Sequence, residues 1–131
     1  MKPEFPLILI IDDEESIRRN LRAFLQDEGY EVLTTKSGEE AMEMLTSCKP
    51  DLAVVDIRLP GMDGNKFILS AHQIHPNMKF LVFTGSMEYT LPQELRSLDL
   101  SEQHILRKPL NDLSLLANLI KGQCERTDVH E

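Results

Sequence analysis

Five short apolar runs punctuate the chain, and between them hydrophobic residues recur at helical spacing. The first run, "LILII" at residues 7–11, is apolar at every position, as a strand buried on both faces requires. Ile17, Leu21, Phe24 and Leu25 then fall at i, i+4, i+7 and i+8 and draw one face of a helix. Asp13 is placed to cap its start and Gly29 to stop it. "YEVLTT" (30–35) reads as a second strand, and "SGEEAMEML" (37–45) opens a second helix with Ser37 and Glu40 spaced as a capping box. "DLAVVDI" (51–57) is a third buried strand that ends in the loop chemistry of "RLPGMDG". "NKFILSAHQI" reads as a helix closed by His75-Pro76, "KFLVFTG" as a fourth strand, and "HILRKPL" as the site of a fifth. Leu113, Leu116, Ala117 and Ile120 mark one face of a last helix, while "QCERTDVHE" after Gly122 is polar and aperiodic. In "GSMEYTLPQELRSLDLSEQ", Pro92 stands where a fourth helix would run, so that helix is expected to begin near Pro92 and to be short. Met42, Met44 and Leu45 are assigned to the core.

Strand and helix alternate five times, with crossovers long enough for parallel pairing. The expected fold is therefore α/β: a single domain with an open parallel sheet and helices on both faces. In such sheets function collects outside the carboxyl ends of the strands, near the topological switch point. A chain of 131 residues with 41% hydrophobic content can bury one real core.

Charge narrows the function. The net charge is −8 and the pI about 5.0, with no basic patch, which argues against direct nucleic-acid binding and against an anionic membrane surface. No stretch reaches the apolar length of a membrane span, and "MKPEFPLILIIDDEE" lacks a basic region and a cleavage site, so a cytoplasmic location is expected. Cys48 and Cys124 stand far apart without ligand-spaced neighbours and read as free thiols.

The strand ends carry the chemistry. Asp12 and Asp13 follow the first strand, Asp56 the third, Thr84 the fourth, and Lys108 with Pro109 the fifth. Carboxylates about 4 Å apart repel by roughly 4 kcal/mol at an effective dielectric near 20, so three of them call for a cation. Oxygen ligands that leave room for water suit Mg²⁺. A carboxylate can also attack phosphorus to form an acyl phosphate, whose charge of about −1.5 to −2 needs a metal, a cation and a hydroxyl donor around it. Solvation and helix capping would explain Asp12 and Asp13 in isolation. They do not explain why Asp56, Thr84 and Lys108 stand at matching strand ends. Glu14 and Glu15 need only the preference of acids for a helix's first turn. Asp51, at the other end of its strand, reads as structural, and Asp63-Gly64 as turn chemistry. His72 and His75 are spaced for a metal pair but lack a third ligand nearby, and read as exposed polar residues.

"IIDDEES", "PDLAVVDIRLPGMDG", "VFTG" and "LRKPL" together resemble the motif set of the receiver domain of two-component response regulators, in the family's order and across residues 7–121. Residues 1–6 would then be an N-terminal extension, and 122–131 a polar tail or the start of a linker. The resemblance implies a flavodoxin-like (CheY-like) sheet of order 2-1-3-4-5 with five helices. It implies Asp56 as the acceptor of phosphoryl from a histidine kinase or phosphotransfer protein, and a domain that acts only in its own phosphorylation and autodephosphorylation. Asp13, Asp56 and the backbone carbonyl of Arg58 would hold Mg²⁺, with Asp12 acting largely through water. Thr84 and Lys108 would bind phosphoryl oxygens, and the Lys108–Pro109 peptide would be cis. Output to a further domain, a partner or a second copy would use the face of the fourth helix, fifth strand and fifth helix.

The chain departs from the family at the switch. Thr84 is present, but the family's aromatic position is Ile105, and "SEQ" replaces a Gly-Ala pair before the fifth strand. Arg58 and Ser86 occupy positions that tune phosphate lifetime in the family. The alternative reading is a degenerate receiver that binds proteins without being phosphorylated. An aspartate-nucleophile phosphatase is opposed by "DD" in place of "DxD", and a flavin-binding flavodoxin-like protein by the acidic loop after the first strand.

Overall fold

The computed structural model describes residues 6–125; positions 1–5 and 126–131, which include most of the expected extension and tail, lie outside the described residues. Strands β1 (Leu7–Ile11), β2 (Glu31–Thr35), β3 (Leu52–Asp56), β4 (Lys79–Thr84) and β5 (Ile105–Arg107) form one parallel sheet of order β2-β1-β3-β4-β5. Helices α1 (Glu15–Asp27), α2 (Gly38–Met44), α3 (Gly64–Ile74), α4 (Gln93–Arg96) and α5 (Ser114–Glu125) connect or follow them.

The apolar runs are continuous because alternate residues enter two different cores. In β1, Leu9 and Ile11 pack toward the α2–α3 side, whereas Ile8 and Ile10 pack toward α1 and α5. β3 repeats the division with Ala53 and Val55 against Leu52 and Val54, and β4 with Phe80 and Val82 against Leu81 and Phe83. Phe67 of α3 meets Phe80 edge-on, ring centres 6.5 Å apart, and anchors the first core.

Several helix ends differ from expectation. α1 is entered through Glu14, whose N–H donates to Asp12 Oδ1 at 2.9 Å; Asp12, not Asp13, is the side chain that turns back. The Ser37 half of the capping box expected at α2 forms, with Glu40 N–H donating to Ser37 Oγ, but the Glu40 carboxylate takes the N–H of Lys36. α4 is a single turn entered from Pro92, as its proline position dictates. α5 continues past Gly122 to Glu125 because Leu116, Ile120 and Cys124, each four apart, extend one buried stripe.

At Gly64 the chain folds back against the end of β3. A Cβ there would stand 2.5 Å from the Asp56 carbonyl oxygen and 2.8 Å from Ile57 Cα, both of them backbone atoms that cannot swing aside. Gly64→Ala is therefore expected to cost about 1–3 kcal/mol, the range for overpacking, as a shift of the urea midpoint. A midpoint equal to wild type would show that the α3 start is looser than this contact requires.

Candidate functional site

β1 and β3 are adjacent, yet their crossovers leave in opposite directions, so a crevice opens between their carboxyl ends. Asp12, Asp13 and Asp56 meet there, each offering one carboxylate oxygen within 4.8 Å of the others. Asp12 and Asp56 are buried, and Asp13 is exposed at the mouth. Among the described residues this is the one cluster of metal-ligating side chains. His72 and His75 do not join a cluster; both are half-buried, and His75 Nε2 lies 2.9 Å from the Leu45 carbonyl.

Lys108 reaches this crevice from the end of β5. Its Nζ lies 2.8 Å from Asp12 Oδ2, 3.5 Å from Asp56 Oδ2 and 3.9 Å from Glu14 Oε2, and 5.3 Å over the Phe83 ring. Asp12 Oδ2 is fully buried, and its one close polar neighbour is the Lys108 ammonium at 2.8 Å, an ion pair. Such an atom is suited to a further electropositive neighbour. The Lys108–Pro109 peptide is cis.

The charges tune one another. Burial and then the Asp12 carboxylate raise the Asp56 pKa, with Lys108 and the Arg58 N–H opposing. Burial alone would lower the Lys108 pKa, but Asp12, Asp56 and Glu14 outweigh it and the net shift is upward. The ammonium is thus secured by the acids it neutralises.

The loops beside the crevice are tied down. Arg58 donates its N–H to Asp56 Oδ1 at 3.1 Å while its side chain is exposed. Asp63 caps α3 by accepting from Lys66 N, and the Glu39 carboxylate of α2 accepts from Met62 N at 2.9 Å. Arg18 of α1 donates to the Asp12 carbonyl at 2.7 Å. Asp51 accepts from Leu7 N at the opposite end of the sheet, a structural bond. Thr84 is fully buried, its Oγ1 accepting from Ser86 N. Ile105 is half-buried and packs on the first core, as Tyr89 and Leu98 also do. Burial, with the charges of Asp63 and Glu102, pushes the Tyr89 pKa up to about 12, so its hydroxyl remains a donor to Asn65 Oδ1.

Glu39 and Arg107 escaped the sequence reading, and Glu14, read only as a helix-start acid, also approaches Lys108. Glu14 alone had a usable signal, since it follows directly on the two aspartates.

Comparison with known proteins agrees with this geometry. The family model of the response regulator receiver domain matches residues 8–120. The chain belongs to that family. Sporulation initiation phosphotransferase F of Bacillus subtilis is 33% identical over 91 residues, covering 70% of this chain and 73% of that protein. The Bacillus subtilis alkaline phosphatase synthesis transcriptional regulatory protein PhoP is 32% identical, over 93% of this chain and 50% of its own length. The chain spans 34% of a further relative, the Bacillus subtilis regulatory protein YesN, at 29% identity over 95% of this chain. Among solved structures, the CheY-like receiver domain protein of Methanospirillum hungatei superposes with a TM-score of 0.79 at 29% identity, covering 95% of this chain and 98% of that one. The response regulator TrrA of Thermotoga maritima, solved in complex with Mg²⁺–BeF, gives 0.77 at 28% identity, covering 94% of this chain and 99% of that one. The chain thus spans half or less of the length of PhoP and YesN, and no helix among its described residues is long and apolar enough to cross a membrane.

Proposed function

We propose that this receiver domain accepts a phosphoryl group on Asp56 from the phosphohistidine of a histidine kinase or phosphotransfer protein, with Mg²⁺, and signals through a change of surface. The observation that carries this reading is the meeting of Asp12, Asp13, Asp56 and Lys108 in one crevice at the switch point of the sheet.

The residues fit the metal. Three carboxylates converge there, and a buried oxygen of Asp12 has no hydrogen-bond donor beyond its ion pair with Lys108. Asp13, Asp56 and the Arg58 carbonyl would hold Mg²⁺ directly, and Asp12 through water. Bound there, Mg²⁺ supplies positive charge to the phosphoryl oxygens.

The chain's own groups do the rest. An Asp56 carboxylate oxygen attacks phosphorus; the new P–O bond forms as the P–N bond breaks, and the imidazole nitrogen of the donor leaves with the electron pair. Lys108, already 3.5 Å from Asp56 Oδ2, moves its charge onto the incoming oxygens. Thr84 offers its hydroxyl from the end of β4. The arrival of about −1.5 to −2 charge favours whichever surface state lets Lys108 and Thr84 bind it best.

The test is incubation with acetyl phosphate or phosphoramidate and Mg²⁺, read by intact mass. Wild type should gain one phosphoryl group, chelation of Mg²⁺ should prevent the gain, and Asp56→Asn should abolish it. Absence of any gain in wild type, with beryllofluoride also failing to stabilise the fold, would sink the reading and leave an unphosphorylated interaction module.

A further inference from the structure

The loop between β4 and α4 is gripped at Ser86 from two sides. The Ser86 N–H donates to Thr84 Oγ1 at 3.1 Å, and the Ser86 carbonyl accepts from Arg107 Nη1 at 2.5 Å. The other arm of the same guanidinium, Nη2, donates to the Tyr89 carbonyl at 3.0 Å. Tyr89 in turn donates its hydroxyl to Asn65 Oδ1 on α3 at 2.7 Å. One rigid fork thus holds two carbonyls three residues apart, and the loop's far side is tied to the helix that starts beside Asp56. A planar fork fixes direction as well as distance, which a single ammonium cannot. Ile105, two residues earlier on β5, has no side-chain donor or acceptor for such a task.

The consequence falls on Thr84. A hydroxyl has one hydrogen to donate and two lone pairs. With one lone pair engaged by the Ser86 N–H, the rotation of the hydroxyl is restricted and its hydrogen has fewer directions to take. Release of Ser86 removes that restriction. We propose that Arg107 is a positioning residue: by holding Ser86 and Tyr89 it sets the Thr84 hydroxyl to donate to the phosphoryl group on Asp56. Arg107 acts through Thr84 and touches neither the acceptor nor the metal ligands. The inference rests on the phosphoacceptor reading of Asp56.

The test is calorimetric titration of beryllofluoride, a phosphoryl mimic, at saturating Mg²⁺ into wild type, Arg107→Ala, Arg107→Lys, Thr84→Val and the Ala/Val double variant. Loss of a charged grip should weaken binding about tenfold in Arg107→Ala. Arg107→Lys should lose nearly as much, because the charge survives but the fork does not. The double variant should bind within about twofold of Thr84→Val, the mark of two residues acting as one unit. Affinity for Mg²⁺ alone should stay within about twofold of wild type in Arg107→Ala. Any of four results would overturn the inference: unchanged binding in Arg107→Ala, full recovery in Arg107→Lys, additive losses in the double variant, or a parallel loss of Mg²⁺ affinity. Failure of wild type itself to bind beryllofluoride would instead remove the phosphoacceptor reading, and this inference with it.

Discussion

Lys108→Ala should cost the metal-free protein about 3 kcal/mol of stability, the low end of what removing one partner of a buried ion pair costs. The ammonium side chain is only 15% exposed, and its two nearest carboxylates, on Asp12 and Asp56, are 2% and 6% exposed. Without Lys108 both would remain buried with their cation gone. Protonation caps the loss, because the Asp56 pKa is already raised by burial and by Asp12 and would rise further. A raised folded pKa contributes stability that is complete below the unfolded value of 3.8 and is lost as pH rises through the folded one. The variant's deficit should therefore shrink on acidification and widen toward neutrality. The Lys108 shift works in the other range: its contribution to wild type is complete below 10.5 and disappears as pH rises through the higher folded value. Added Mg²⁺ should restore more stability to the variant than to wild type, since a ligand that binds only the folded state stabilises by mass action. Urea midpoints with and without Mg²⁺ measure both effects. A midpoint that ignores the substitution would mean that solvent reaches these carboxylates far more freely than their burial implies.

The strands were legible because both faces of the sheet are covered, which leaves no polar position inside "LILII", "LAVV" or "FLVF". The crevice was legible for a related reason. Asp12, Asp56, Thr84 and Lys108 each interrupt or follow such a run, so strand order alone brings them to one edge. What escaped depends on contacts between distant parts of the chain. Glu39 caps Met62 across 23 residues, and Arg107 meets Ser86 across 21; no local pattern encodes either. The α1 entry was misread because Asp12 and Asp13 are equally good caps by type. Only the turn of the backbone decides that Asp12 faces Glu14 N. The length of α5 was misread because polar neighbours around Gly122 hide Cys124, whose burial continues the stripe.

Asp13→Asn separates the metal from the scaffold. Three carboxylates share the crevice, but Asp13 is exposed while the other two are buried. Its repulsion toward them is screened, and exposed charge pairs are worth about 1 kcal/mol or less. Apo stability should consequently hold or rise slightly, with no loss. Affinity for Mg²⁺ should fall far more. Disturbing even an outer partner of a metal ligand typically costs about 10–100-fold, and a direct carboxylate ligand should cost at least that. The amide keeps the size and one oxygen of the aspartate, so the loss reports charge and not shape. The contrast with Lys108→Ala is the useful one: that change removes a cation from buried acids and should loosen the fold, whereas this one removes an acid and should leave the fold intact. Calorimetric Mg²⁺ titration beside a urea melt of the same sample reads both quantities. A marked loss of apo stability in Asp13→Asn would show that Asp13 serves the scaffold, and the Mg²⁺ assignment would then rest on Asp12 and Asp56 alone.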